Sequence, residues 1–126
     1  MTVTGQLKKA LKSVCSEVAR DKYEGKKDTY IVYNVATEQA GNYADNSPHS
    51  ETVFLQIHLY MPSNVDYTAL QGAVKKTVSD NGFSYPQTAL NTVETDTNIR
   101  HICLTTNKKR RFNYMATTGL SGFVHA

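Results

Sequence analysis

The stretch ETVFLQIHLYM, residues 51–61, limits what this chain can fold into more than any other. Val53, Leu55, Ile57, Leu59 and Met61 alternate with Thr52, Phe54, Gln56, His58 and Tyr60. Successive side chains on a strand leave opposite faces, so a period of two makes one face aliphatic and the other polar and aromatic. The aliphatic face belongs in a core. The other face is half exposed or set against a partner.

Two segments carry the helical period instead. Val3, Leu7, Ala10, Leu11, Val14 and Val18 fall three or four residues apart and predict a helix over 3–19, with Lys8, Lys9, Lys12 and Glu17 on its other side. Tyr67, Leu70, Val74 and Val78 predict a second helix over 63–82. Ser63 or Asn64 can cap its start, Asp66 stands in the capping-box position after Ser63, and Asn81-Gly82 is a stop of the left-handed kind.

Residues 29–38 and 99–107 are rich in strand formers, the latter with Arg100, Ile102 and Leu104 alternating against Ile99, His101 and Cys103. Residues 39–50 hold Gly41 and Pro48 and read as a loop, well beyond the two to five residues usual in a hairpin. Residues 83–98 read as a connection, with a short strand before Pro86 and a helical turn near 88–92. The resulting order is α-β-β-α-(β)-β. It implies an α+β fold, two helices packed on one face of a small, mostly antiparallel sheet.

At 126 residues this is one domain with enough chain for a core of its own. The division expected is a domain over 1–107 and a basic and aromatic extension over 108–126. The net charge of +3 is a small footprint for nucleic acid. Tyrosine is abundant, 8 against 4 Phe and no Trp, which suits surfaces that become buried against partners. No stretch resembles a signal peptide, and none approaches the roughly 18 apolar residues of a membrane helix. A cytoplasm-like setting and no membrane partner are expected.

Catalytic and metal chemistry find little purchase. His49, His58, His101 and His125 stand at no ligand spacing; His101 and Cys103 can share a strand face but would need further ligands from elsewhere. Cys15 and Cys103 make no CxxC and read as buried free thiols. GLSG, 119–122, lacks the spacing of a serine elbow, Glu94 and Asp96 read as a solvated loop edge, and no glycine-rich phosphate cradle occurs. No enzyme activity, metal or cofactor is therefore expected. Lys108, Lys109, Arg110 and Arg111 form the one charge block, before Phe112 and Tyr114, and suit a nucleic-acid backbone, a ring lumen or an acidic partner. GNYADN, 41–46, offers Gly41 for a turn, Asn42, Asp45 and Asn46 for Asx turns, and Tyr43 as an aromatic that can insert into a neighbour.

Taken in order, the motifs resemble those of tail terminator, or tail completion, proteins of bacteriophages with long non-contractile tails. The matching residues are Glu38, Gly41-Asn42-Tyr43-Ala44-Asp45-Asn46, Asp66-Tyr67-Thr68-Ala69-Leu70, Gly82-Phe83 and Glu94-Thr95-Asp96-Thr97, within residues 1–107. The longer C-terminus and SPHS, 47–50, depart from the pattern. The resemblance implies a structural virion protein without a catalytic site. It would form a hexameric ring at the head-proximal end of the tail, stop the tube and join it to the head connector. The implied partners are further copies of the chain, the tail tube protein, the head-tail connector or head completion protein, and DNA passing through the lumen. Assembly would take place in the host cytoplasm. Asn42, Tyr43, Asp45 and Asn46 are the expected contact with subunit or tube. The competing readings are another connector component (head completion or adaptor), a small nucleic-acid-binding domain using Lys108–Arg111, and an enzyme with a Cys or His site.

Overall fold

The computed structural model describes residues 2–44 and 47–111, with residues 42–44 and 47–49 described by their backbone. The elements in chain order are α1 (Val3–Lys12), β1 (Val18–Arg20), β2 (Tyr30–Ala44), β3 (Ser47–Pro62), α2 (Thr68–Asp80), β4 (Gln87–Glu94) and β5 (Ile99–Arg111). The strands form one sheet in the order β1-β2-β3-β5-β4. Among the described strand pairs only β1–β2 is parallel. Two helices with a mostly antiparallel sheet make an α+β fold, as the hydrophobic periods imply.

β3 is the central strand, and its odd residues carry the core. Val53, Leu55, Ile57, Leu59 and Met61 are all buried, packed with Ile31 and Tyr33 of β2 and Ile102 and Leu104 of β5. Leu7 and Leu11 of α1 and Val74 and Val78 of α2 close over them. Both helices thus lie on one face, and Tyr67 and Leu70 pack at the margin of the same cluster.

The first helix is shorter than its apolar spacing predicts. Thr2 caps it by accepting from the Gly5 N–H at 3.0 Å. It stops at Lys12 because the Ser13 hydroxyl and amide both bond the Ala10 carbonyl. The chain then turns toward the sheet, where the Glu17 carbonyl accepts from Ile31 N–H. Val18 is buried as expected, but from a strand. α2 likewise starts late, at Thr68. Neither Ser63 nor Asn64 caps it; the residue at the cap position is Tyr67, which makes no side-chain cap bond. Asp66 Oδ1 instead accepts from the Thr68 amide and hydroxyl. The helix ends as read, with Gly82 at φ 89 and the Phe83 N–H reaching back to Val78.

Three segments differ from expectation in kind. Residues 39–44 and 47–50 are ladder, not loop: Gln39 pairs Thr52, Ala40 pairs Glu51, Gly41 pairs Ser50, and Tyr43 pairs Pro48. Gly41 therefore continues a strand and does not turn the chain; a Cβ there would meet Ser50 Oγ at an ordinary 3.6 Å. Register imposed from the strong 51–61 strand overrides the local breakers. Residues 88–92 form part of β4 rather than a helical turn, and the strand follows Pro86 instead of preceding it. β5 extends through Lys108–Arg111, so the basic block is sheet. Glu94-Thr95-Asp96-Thr97 makes the β4–β5 connection, closed by Asn98 N–H to Glu94 O with Asn98 at φ 57.

Candidate functional site

The sheet face opposite the helices carries an organised polar and aromatic surface. Its residues come from even positions of β3 and their cross-strand partners: Tyr30 pairs Tyr60, Val32 pairs His58, Asn34 pairs Gln56, and Tyr60 pairs His101. Their rings stack across the strands. Tyr23 lies on Tyr30 with centroids 4.0 Å apart, Tyr30 on Tyr60 at 4.9 Å, and Tyr60 on His101 at 4.5 Å with the planes only 7° apart. Tyr23 closes the row at the β1 side, donating its hydroxyl proton to Glu17 Oε1 at 2.9 Å and accepting from Lys27 N–H.

A hydrogen-bond chain continues from the last ring. His101 Nε2 lies 2.9 Å from His58 Nδ1, His58 Nε2 lies 3.1 Å from Asn34 Oδ1, and the Asn34 amide donates to Gln56 Oε1 at 3.2 Å. The Asn34 donation fixes the direction of the whole chain. Its oxygen faces His58, so His58 Nε2 carries a proton, its Nδ1 accepts, and His101 Nε2 donates. His58 is neutral in this arrangement. Burial lowers the pKa of His58, with the nearby His101 adding to the effect. Burial also lowers His101, against a smaller opposing pull from Glu94. Burial pushes the Tyr60 phenol up. It does the same to the Cys103 thiol, away from the reactive thiolate.

Toward the hairpin end, the same face holds an open groove of about 420 Å³. The extra residue of β2 between Val35 and Thr37 bulges the strand on one side, and the segment before β4 borders the other. Phe54 and Gln56 line its floor with Thr105 and Asn107, and Gln39, Gln87 and Tyr85 line its sides. Tyr85 is 61% exposed.

The structure places the residues expected to act together only in part. Asn42 and Tyr43 lie near the end of β2, and Asp45 and Asn46 lie outside the described residues. Strand alternation splits the basic block. Lys108 faces the helices, donating to Gln6 Oε1 at 2.6 Å and Asn81 O at 3.2 Å with its ammonium 4.8 Å from the Phe83 ring centre. Arg110, on the same side, pairs with Glu51 directly opposite on β3. Lys109 and Arg111 take the other face and are exposed. His101 and Cys103 share a face as read, but His101 bonds His58. Among the described residues no group of three His, Cys, Asp or Glu side chains could hold a metal ion. Cys15 and Cys103 are both free. No described helix is long and apolar enough to cross a membrane.

The His58–His101 network and the tyrosine row escaped the sequence reading. The polar-aromatic alternation of 52–60 pointed to the face, but only the register places His101 beside Tyr60.

No protein-family model and no curated protein matches this chain. Among solved structures it is similar to a chain of the "Virion of native gene transfer agent (GTA) particle". That likeness has a TM-score of 0.51 at 12% identity and covers 85% of this chain and 92% of the other. At such identity it is a likeness of fold.

Proposed function

We propose that this protein is a structural component of a phage-like virion, and more narrowly a tail terminator. In this reading copies of the chain close into a hexameric ring at the head-proximal end of the tail tube, halt tube growth and connect the tail to the head. The observation that carries the virion role is the fold likeness to a virion chain, which spans nearly the whole of both proteins. The ordered motifs from Glu38 to Thr97 support the narrower role. The hairpin end bearing Asn42, Tyr43, Asp45 and Asn46 is the contact with the next subunit or the tube. Exposed Lys109 and Arg111 are the cations left for DNA in the lumen, while Lys108 and Arg110 already have partners within the fold.

Electron microscopy of particles from a deletion strain tests the assignment. Overlong tails on full heads are expected. Heads that leak DNA while tail length stays normal would move the protein to a head completion or adaptor role. Unchanged particles, with the protein monomeric and absent from purified virions, would remove the virion role altogether.

A further inference from the structure

The groove beside Tyr85 is unusual in what it lacks. Gln39, Gln56, Gln87, Asn107, Phe54 and Tyr85 all line it, and no charged side chain does; the nearest cation recorded against a lining ring is Lys75, its ammonium 6.0 Å from the Tyr85 ring centre. Amide side chains offer both donors and acceptors, the requirement for holding an extended peptide backbone, and the two aromatic rings offer apolar contact. Burying a charge there would be expensive, so the groove favours an uncharged occupant.

The longest stretch of that kind follows β5. Residues 112–126, FNYMATTGLSGFVHA, hold none of the 14 Lys and Arg or 11 Asp and Glu residues. They do hold Phe112, Tyr114, Leu120 and Phe123 among small polar residues. Their point of departure is also informative. β5 passes the groove at Thr105 and Asn107, then continues four residues to Arg111, about 13 Å farther at the rise of a strand. β5 thus ends two residues past Lys109, which is level with Gln39 at the groove's rim. Apart from Asn113, residues 112–118 contain none of the usual reversal formers Gly, Pro or Asp. Fully extended, 112–126 would span up to about 50 Å, far enough to reach another molecule.

We infer that the groove receives residues 112–126 of a second copy of this chain, an exchange of arms that joins neighbours head to tail. Such a contact is heterologous, with groove and arm on different parts of one surface, so it propagates from copy to copy and closes only by rotation. The inference does not depend on the virion role and can be read on purified protein.

The test uses the full chain in a Cys15→Ser background. One preparation carries Gln39→Cys at the groove, another Ser121→Cys in the arm, and the two are mixed with a short bismaleimide. A covalent heterodimer is expected. A synthetic peptide of residues 112–126 in excess should reduce its yield at least tenfold, and Tyr85→Ala should reduce it severalfold. Ala73→Cys, on the exposed side of α2, replaces Gln39→Cys as the control and should give little product. Equal yields from Ala73→Cys and Gln39→Cys, or none from Gln39→Cys, would overturn the inference. So would a chain carrying both Gln39→Cys and Ser121→Cys that links within itself at high dilution, since the arm would then fold back on its own molecule.

Discussion

Lys108 allows a sharp test because its neighbour in sequence is its control. The Lys108 ammonium ties three elements together: it donates to Gln6 on α1, to the Asn81 carbonyl at the C-terminus of α2, and it sits over Phe83, all from a position on β5. Hydrogen bonds from a charged donor contribute about 1.5–3 kcal/mol each when well buried. This site is half-buried, so the low end for the pair is appropriate, with a further ~0.5 kcal/mol from the ring. Replacing Lys108 by Met keeps the apolar stem and removes the charge. The expected loss is about 2 kcal/mol, which for a domain of this size lowers the melting temperature by about 8 °C. Lys109→Met, one residue along and on the other face, should stay within about 0.5 kcal/mol, or roughly 2 °C. Thermal and urea unfolding of both variants, followed by circular dichroism, would measure the difference. If Lys108→Met melts together with Lys109→Met, the ammonium tether contributes nothing and the alternation argument for the basic block fails.

Three other outcomes are expected. Ile57→Ala, at a fully buried position in the central strand, should destabilise by about 2–5 kcal/mol in urea unfolding, with the lower end reached only if the helices settle into the cavity. Because His58 and His101 have folded pKa values below the ordinary 6.5, the unfolded chain binds protons more readily than the folded one as the pH falls through that value. Stability is complete above about pH 6.5 and declines below it. The groups facing the pair are Glu94, Tyr60 and Asn34, and protonating His58 Nδ1 would set two donors against each other. Melting temperature measured from pH 7.5 to 5 should therefore slope down toward acid, and more weakly in a His58→Gln, His101→Gln double variant. If the proposed ring forms, Tyr43→Ala should weaken it by native mass spectrometry while leaving the melting temperature nearly unchanged; normal rings would remove Tyr43 from the contact.

What was legible in the sequence followed from burial. The odd residues of 53–61, the stripe from Tyr67 to Val78 and the stop at Gly82 each impose a pattern that only one local structure satisfies. What was illegible followed from pairing. β4 is an edge strand with almost every residue exposed, so no apolar alternation betrays it. Residues 39–50 contain Gly41 and Pro48, which locally weaken a strand, yet the register running out from Val53 and Glu38 carries the ladder through them. The first helix was read too long because Val14 and Val18 fall by chance on helical spacing, whereas Ser13 closes the turn. For the candidate site, the tyrosines and histidines were visible one by one. Their stacking depends on which strands are neighbours, and a single sequence does not state that.

The central place of β3 also governs how the chain must be made. One of its edges is met early, by β2, through a hairpin. The other edge, from Ser50 to Pro62, is satisfied by β5, the last of the described strands. Synthesis runs from the N-terminus, so a nascent chain ending before Ile99 displays a long open strand rich in Val, Leu and Ile, lacking Ile102 and Leu104 to complete its core. Such an edge is a template for pairing with other chains. Fragments truncated in the β4–β5 connection should accumulate as aggregates, because only the arrival of β5 covers this edge of β3.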